Sequence, residues 1–78
     1  MIKFFSASWC TPCNTLKKSL EESDLAKVHM VDVDQEQSEV INASVVSIPT
    51  LIKYDEEGNE IARKSGSMTR AQFLDFIE

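Results

Sequence analysis

Two rhythms of apolar and polar positions run along this chain, and the changes between them mark its elements. Ile2-Lys3-Phe4-Phe5 is short, apolar and partly aromatic, which predicts a strand. Helical spacing begins near Pro12: Cys13, Leu16 and Leu20 share one face, Lys17, Lys18, Glu21 and Glu22 cover the other, and Ser23-Asp24 ends the run. Val28 to Val33 is rich in branched residues and alternates loosely, predicting a second strand. Gln35 to Ala43, carrying Val40 and Ile41, predicts a short helix. Thr50 to Tyr54 and Ile61 to Lys64 predict two more strands. Asp55-Glu56-Glu57-Gly58-Asn59 joins them as a hairpin turn in which Gly58 is free to adopt positive φ. Thr69 to Glu78 predicts the last helix, opened by a capping box of Thr69 and Gln72. Its buried face is expected to be Phe73, Phe76 and Ile77, with Leu74 at the margin.

The order is βαβα followed by ββα. A helix crossing between two strands makes the first pair parallel. The tight turn makes the second pair antiparallel. The expected architecture is therefore α/β: a mixed four-stranded sheet with helices on both faces, one domain over residues 1–78.

Charge and composition narrow the functions open to this fold. The net charge of −5 disfavours a nucleic-acid partner. The basic pairs Lys17-Lys18 and Arg63-Lys64 are isolated and suit solvated faces. No apolar stretch is long enough to span a membrane, so no membrane role is expected. A strand-like run follows Met1 directly, without the pattern of a signal peptide. A cytoplasmic, reducing compartment is the expectation.

The candidate chemistry lies in Trp9-Cys10-Thr11-Pro12-Cys13, which holds both cysteines of the chain. A Cys-x-x-Cys pair at a strand-to-helix turn can cycle between dithiol and disulfide. The nucleophile in such exchange is the thiolate, and a free cysteine with a pKa of about 8.5 is mostly protonated at neutral pH. The first turn of a helix offers unpaired N–H groups and the positive end of the dipole, both of which favour a thiolate. Cys10 is expected to be exposed and to attack; Cys13, one turn further in, to resolve the mixed disulfide. Pro12 suits an early helical position, where its missing N–H costs little. A plain structural staple is the competing explanation. So small a loop would stabilise weakly, by about 2 kcal/mol on the loop-entropy account. Zinc is disfavoured because a closed site needs four ligands, and only His29 adds to the two thiols. No metal is expected, and no bound cofactor, because the dithiol is itself the redox centre.

Trp9-Cys10-Thr11-Pro12-Cys13 resembles the active-site pentapeptide of the thioredoxin family, with threonine where glycine is usual. Ile48-Pro49-Thr50 resembles that family's second signature, a loop holding a cis-proline opposite the dithiol. Lys64-Ser65-Gly66-Ser67 resembles the loop whose glycine borders the active site. The matches occur in family order and span the chain. The resemblance implies a thioredoxin fold and a protein-disulfide reductase, with Cys10 and Cys13 catalytic and Trp9, Thr11, Pro12, Ile48, Pro49 and Gly66 meeting substrate. It further implies disulfide-containing protein substrates, a flavin-dependent thioredoxin reductase as electron donor, and a monomer. Without the dithiol, Pro49 and Gly66 would pass as ordinary turn residues and Trp9 as a partly buried core residue.

Two departures from the family pattern stand out. The chain starts at what would be the family's central strand, giving a glutaredoxin-sized core in which Val28 to Val33 becomes a sheet edge. The buried acid of typical family members would fall at Phe4 and its lysine partner near Met30, and both positions are apolar here. Two other functions compete. A glutaredoxin-like, glutathione-dependent activity is favoured by length but not by Thr11-Pro12 or the single Gly66. A non-enzymatic binding module on the same fold would need an idle dithiol.

Overall fold

The computed structural model describes residues 1–78. Its elements are β1 (Ile2–Ser6), α1 (Thr11–Ser19), α2 (Glu22–Leu25), β2 (His29–Asp32), α3 (Gln37–Asn42), β3 (Thr50–Tyr54), β4 (Glu60–Ser65) and α4 (Arg70–Ile77). They form one four-stranded sheet in the order β2-β1-β3-β4. β1 runs parallel to β2 and antiparallel to β3, and β3 is antiparallel to β4. This is the α/β architecture expected from the sequence.

Alternation along the two central strands divides the core between the sheet faces. Phe4 and Leu51 point to one face and pack with Leu16 of α1 and Phe73 of α4. Their neighbours Phe5 and Ile52 point to the other, joining Val31, with Val40 of α3 against them. The Phe4 and Phe73 rings lie 5.8 Å apart between centroids, within the range of favourable aromatic pairing. Phe4 is wholly buried and stands opposite Met30 in the β1–β2 register. The position expected for a buried acid is thus part of the main apolar cluster. On α4, Leu74 is no more marginal than Phe76 and Ile77: only Phe73 is fully buried, and the other three share a half-buried rim.

The single helix expected from Pro12 to the Ser23-Asp24 stop is two helices. Leu20 adopts an extended conformation that ends α1. Asp24 then restarts the turn, its Oδ2 accepting from the Glu21 N–H at 2.9 Å. The same carboxylate is buried and accepts from Arg70 Nε of α4 at 3.0 Å, so it fastens α2 to the last helix. Leu20 and Leu25, on either side of the break, both pack on the same core cluster.

The Arg70 guanidinium, and then the Glu21 N–H, hold the Asp24 carboxyl below the usual carboxylate range. A pKa lowered by folding contributes stability above the unfolded value of ~3.9 and loses it as pH falls through the folded value. Wild type should therefore melt above Asp24→Asn at neutral pH, with the difference vanishing in strong acid. Melting curves across pH test this, and a difference that stayed constant down to about pH 2 would refute it.

Candidate functional site

The strand directions bring distant segments to one end of the sheet. Ser6 ends β1 beside Asp32 at the end of the parallel β2. Because β3 is antiparallel, its first residue, Thr50, stands opposite Phe5, and Ser65 at the end of β4 stands opposite Thr50. Trp9-Cys10, Val33-Asp34, Ile48-Pro49 and Gly66 each lie just beyond these strand ends.

Local hydrogen bonds set the dithiol. The Cys10 N–H donates to Ala7 O at 3.2 Å and the Asn14 side-chain amide to Ser8 O at 2.8 Å, closing the turn between β1 and α1. Cys10 is the N-cap of α1, and its Sγ accepts from the Cys13 N–H at 3.3 Å. Thr11 and Pro12 occupy the first helical positions and are exposed. Cys10 and Cys13 are joined as a disulfide, with Cα atoms 5.2 Å apart. On reduction the same capping N–H and the helix dipole favour negative charge on Cys10 sulfur.

The expectation of an exposed Cys10 needs correction. In the disulfide form it is only 5 % exposed, packed with Ala7 and Cys13 beneath Val33 and Ile48. A cap residue turned back over its own helix has little surface left for solvent. Cys13 is wholly buried in the same cluster.

The Ile48–Pro49 peptide bond is cis. The Ile48 carbonyl oxygen lies 3.8 Å from Cys10 Sγ, and neither the N–H nor the carbonyl of Ile48 has a backbone partner within the chain. The Gly66 N–H donates to Pro49 O at 2.9 Å, and Thr50 Oγ1 pairs with Ser65 Oγ at 2.9 Å, so the β4 end braces this loop. Gly66 has φ +92°, a conformation that disfavours any side chain, although a Cβ there would meet open space. Trp9 is not core: it is 65 % exposed, and its indole N–H donates to Asp34 Oδ2 at 2.8 Å. His29 is exposed on β2 and lies opposite Lys3 in the sheet register.

Sequence reasoning missed a groove beside the dithiol. It is about 170 Å³ in volume, and Trp9, Val33, Val40, Val45, Val46 and Ile48 form its apolar lining. Its far wall depends on how α3 ends. Ser44, at φ 54°, takes the left-handed position, the Ser44 N–H donates to Ile41 O, and the Val45 N–H donates to Val40 O, both at 3.1 Å. This is a Schellman ending with serine where glycine is usual, and it packs Val45 on Val40. Arg63 of β4 secures it, donating from Nη2 to Ala43 O at 2.7 Å. The adjacent valines Val45-Val46 just before Ile48-Pro49 were the available signal.

Comparison with known proteins places this arrangement. The family profile described as Thioredoxin matches residues 1–78. The chain is 38 % identical over 76 residues to the thioredoxin of Mycobacterium tuberculosis, covering 90 % of this chain and 64 % of that protein. It is 35 % identical over 81 residues to the thioredoxin of Chlamydia trachomatis, covering 99 % and 78 % respectively. Among solved structures, Plasmodium falciparum thioredoxin superposes with a TM-score of 0.82 at 25 % identity, over 97 % of this chain and 80 % of that one. The chain thus spans just under two thirds of the length of the mycobacterial relatives it matches.

Proposed function

The chain belongs to the thioredoxin family, and from that premise we propose that it is a protein-disulfide reductase working through Cys10 and Cys13. The observation that carries the reading is the capped dithiol: Cys10 Sγ receives the Cys13 N–H at the start of α1, beside an Ile48 backbone with no partner of its own. The Cys10 thiolate attacks one sulfur of a substrate disulfide and expels the other half as a thiolate, which takes up a proton. Cys13 then attacks Cys10 Sγ, closing the protein disulfide and releasing the second substrate thiol. Two electrons pass from dithiol to substrate, and no bound cofactor is needed. Holding the resolving thiol one helical turn from the mixed disulfide gives that step a high effective concentration.

Substrate backbone would pair with Ile48 as an added strand, with Trp9, Thr11 and Pro12 on one side and Pro49 and Gly66 on the other. Cys13 lies in an apolar cluster, and Phe4 occupies the place of a buried acid. Its proton therefore passes to water or to the departing substrate thiolate. The expected setting is a monomer in a reducing cytoplasm, with a flavin-dependent reductase as donor.

Insulin reduction driven by dithiothreitol tests the activity. Turnover well above the uncatalysed rate is expected, and none above it would leave a binding module instead. Coupling the same assay to a thioredoxin reductase or to glutathione separates the two reductase classes. Faster turnover with glutathione would favour the glutaredoxin-like alternative.

A further inference from the structure

A lysine stands close to where the redox chemistry lacks its acid. Phe4, wholly buried, occupies the place of that acid, and Lys17 Nζ lies 6.0 Å from the centre of its ring. Lys17 is half-buried on α1, four residues beyond Cys13. Residues at that spacing are neighbours on one helix face, with Cβ atoms about 6 Å apart. Helical side chains also lean back over the preceding turn, which directs the Lys17 stem toward Cys13.

Three lysines stand over aromatic rings, and two of them have further partners. Lys3 pairs with Glu39, and Lys53 donates to Glu78 O. Lys17 enters none of the ion pairs of the chain, although Glu21 follows it by one helical turn in sequence. A half-buried cation with no anion beside it is costly to keep. The oxidised protein, with both sulfurs in the disulfide, lacks the anion that would satisfy it.

The surroundings of Cys13 offer no other unpaired cation. Its neighbours are Ala7, Cys10, Val33 and Ile48, and burial among apolar groups disfavours a thiolate. From Phe4 to Leu16 and from Ile41 to Ile52 the chain has no charged side chain. Asp32 and Asp34 flank Val33 and oppose a further negative charge; Asp34 accepts from the Trp9 indole, and Asp32 from the Asp34 N–H. Arg70, on the helix packed across the core, is occupied by Asp24. Lys18, next on α1, is exposed.

We propose that the Lys17 ammonium is the counter-charge of the Cys13 thiolate and speeds the resolving step by favouring that thiolate. The assignment rests on the reductase reading of the dithiol. An ammonium has no acceptor, so Lys17 does not take the Cys13 proton, which leaves to water or to the departing substrate thiolate. A buried acid would help the proton away; the cation stabilises the anion left behind.

Two measurements test this. In Cys10→Ser, where Cys13 is the only thiol, the Cys13 Cβ carbon shift followed by NMR against pH reads its ionisation. Lys17→Met keeps an apolar stem over Phe4 and should raise the Cys13 pKa by about one unit, the low end of what a neighbouring charge does. Lys17→Glu should raise it further, and Lys17→Arg should hold it near the starting value.

The resolving step itself is read with both cysteines present. In mild acid, methyl methanethiosulfonate places a methyl disulfide on Cys10 and expels methanesulfinate, while Cys13 stays protonated. After a jump to neutral pH, the Cys13 thiolate attacks Cys10 Sγ, closes the protein disulfide and expels methanethiolate, which takes up a proton. Acid quenching and mass measurement time the loss of the methyl adduct. A thiolate fraction about ten-fold smaller, offset about three-fold by stronger nucleophilicity, should make Lys17→Met about three-fold slower at neutral pH. The deficit should close as pH rises through the Cys13 pKa. An unchanged pKa in Lys17→Met, or a deficit of the same size at every pH, would overturn the proposal. A wild-type adduct that closes at no pH would overturn the reductase reading itself.

Discussion

Cys10→Ser abolishes disulfide reduction, while Cys13→Ser halts it after the first attack and leaves substrate bound to the protein: this is the largest functional effect expected here. The two variants differ because the two sulfurs differ in position. Cys10 caps α1, and its sulfur receives the Cys13 N–H. Cys13 is wholly buried and has Cys10 as its only sulfur neighbour. Without Cys10 no nucleophile faces the Ile48 backbone, and turnover should fall to the uncatalysed rate. Without Cys13 the mixed disulfide on Cys10 has no internal resolving thiol and should persist for lack of that effective concentration. Non-reducing electrophoresis of Cys13→Ser incubated with oxidised insulin should show an adduct that dithiothreitol releases. Wild-type turnover in Cys10→Ser, or an adduct formed by Cys10→Ser rather than Cys13→Ser, would reverse the assignment.

The largest effect on stability is expected at Phe73. This ring is the one fully buried side chain of α4, and it meets Phe4, Leu16 and Leu51 in a single cluster. Truncation to alanine removes most of what α4 contributes to that cluster and leaves a cavity that β1 and β3, locked in register, cannot collapse to fill. Such a change costs about 3–5 kcal/mol. Small domains have total stabilities of about 5–10 kcal/mol, so Phe73→Ala should stand near the edge of unfolding at body temperature. Ile41→Ala is the contrast. Ile41 is a large hydrophobic residue on a helix but is 75 % exposed, and its loss should cost less than about 0.5 kcal/mol. Urea unfolding of both variants measures the difference. Similar midpoints would mean that α4 is not packed as described.

What could be recognised in the chain alone was whatever depends on neighbouring residues. The Thr69–Gln72 capping box formed as expected, with the Gln72 N–H donating to Thr69 and the Thr69 N–H to the Gln72 side chain. The hairpin turn placed Gly58 at φ +86°. β3 spans Thr50–Tyr54, the bounds read from the sequence. Where residues separated by tertiary contacts decided the outcome, local pattern was silent. Leu20 and Leu25 both reach the core, one on each side of a break that the apolar spacing did not announce. The Schellman ending of α3 carried no glycine to announce it, and Arg63, distant in sequence, secures it.

The sequence by itself determined the dithiol, its place at a helix start, and the order of strands and helices. These follow from period, capping and turn chemistry, each settled within a few residues. Only the tertiary structure decided what surrounds the dithiol. One parallel and one antiparallel neighbour of β1 bring the ends of β1 and β2, the start of β3 and the end of β4 to the same edge. That edge buries Cys10, exposes Trp9, turns the Ile48 backbone toward Cys10, and assembles a groove from valines that no local pattern connects. Strand direction is a property of the whole sheet, so a site built from strand ends cannot be seen before the sheet exists.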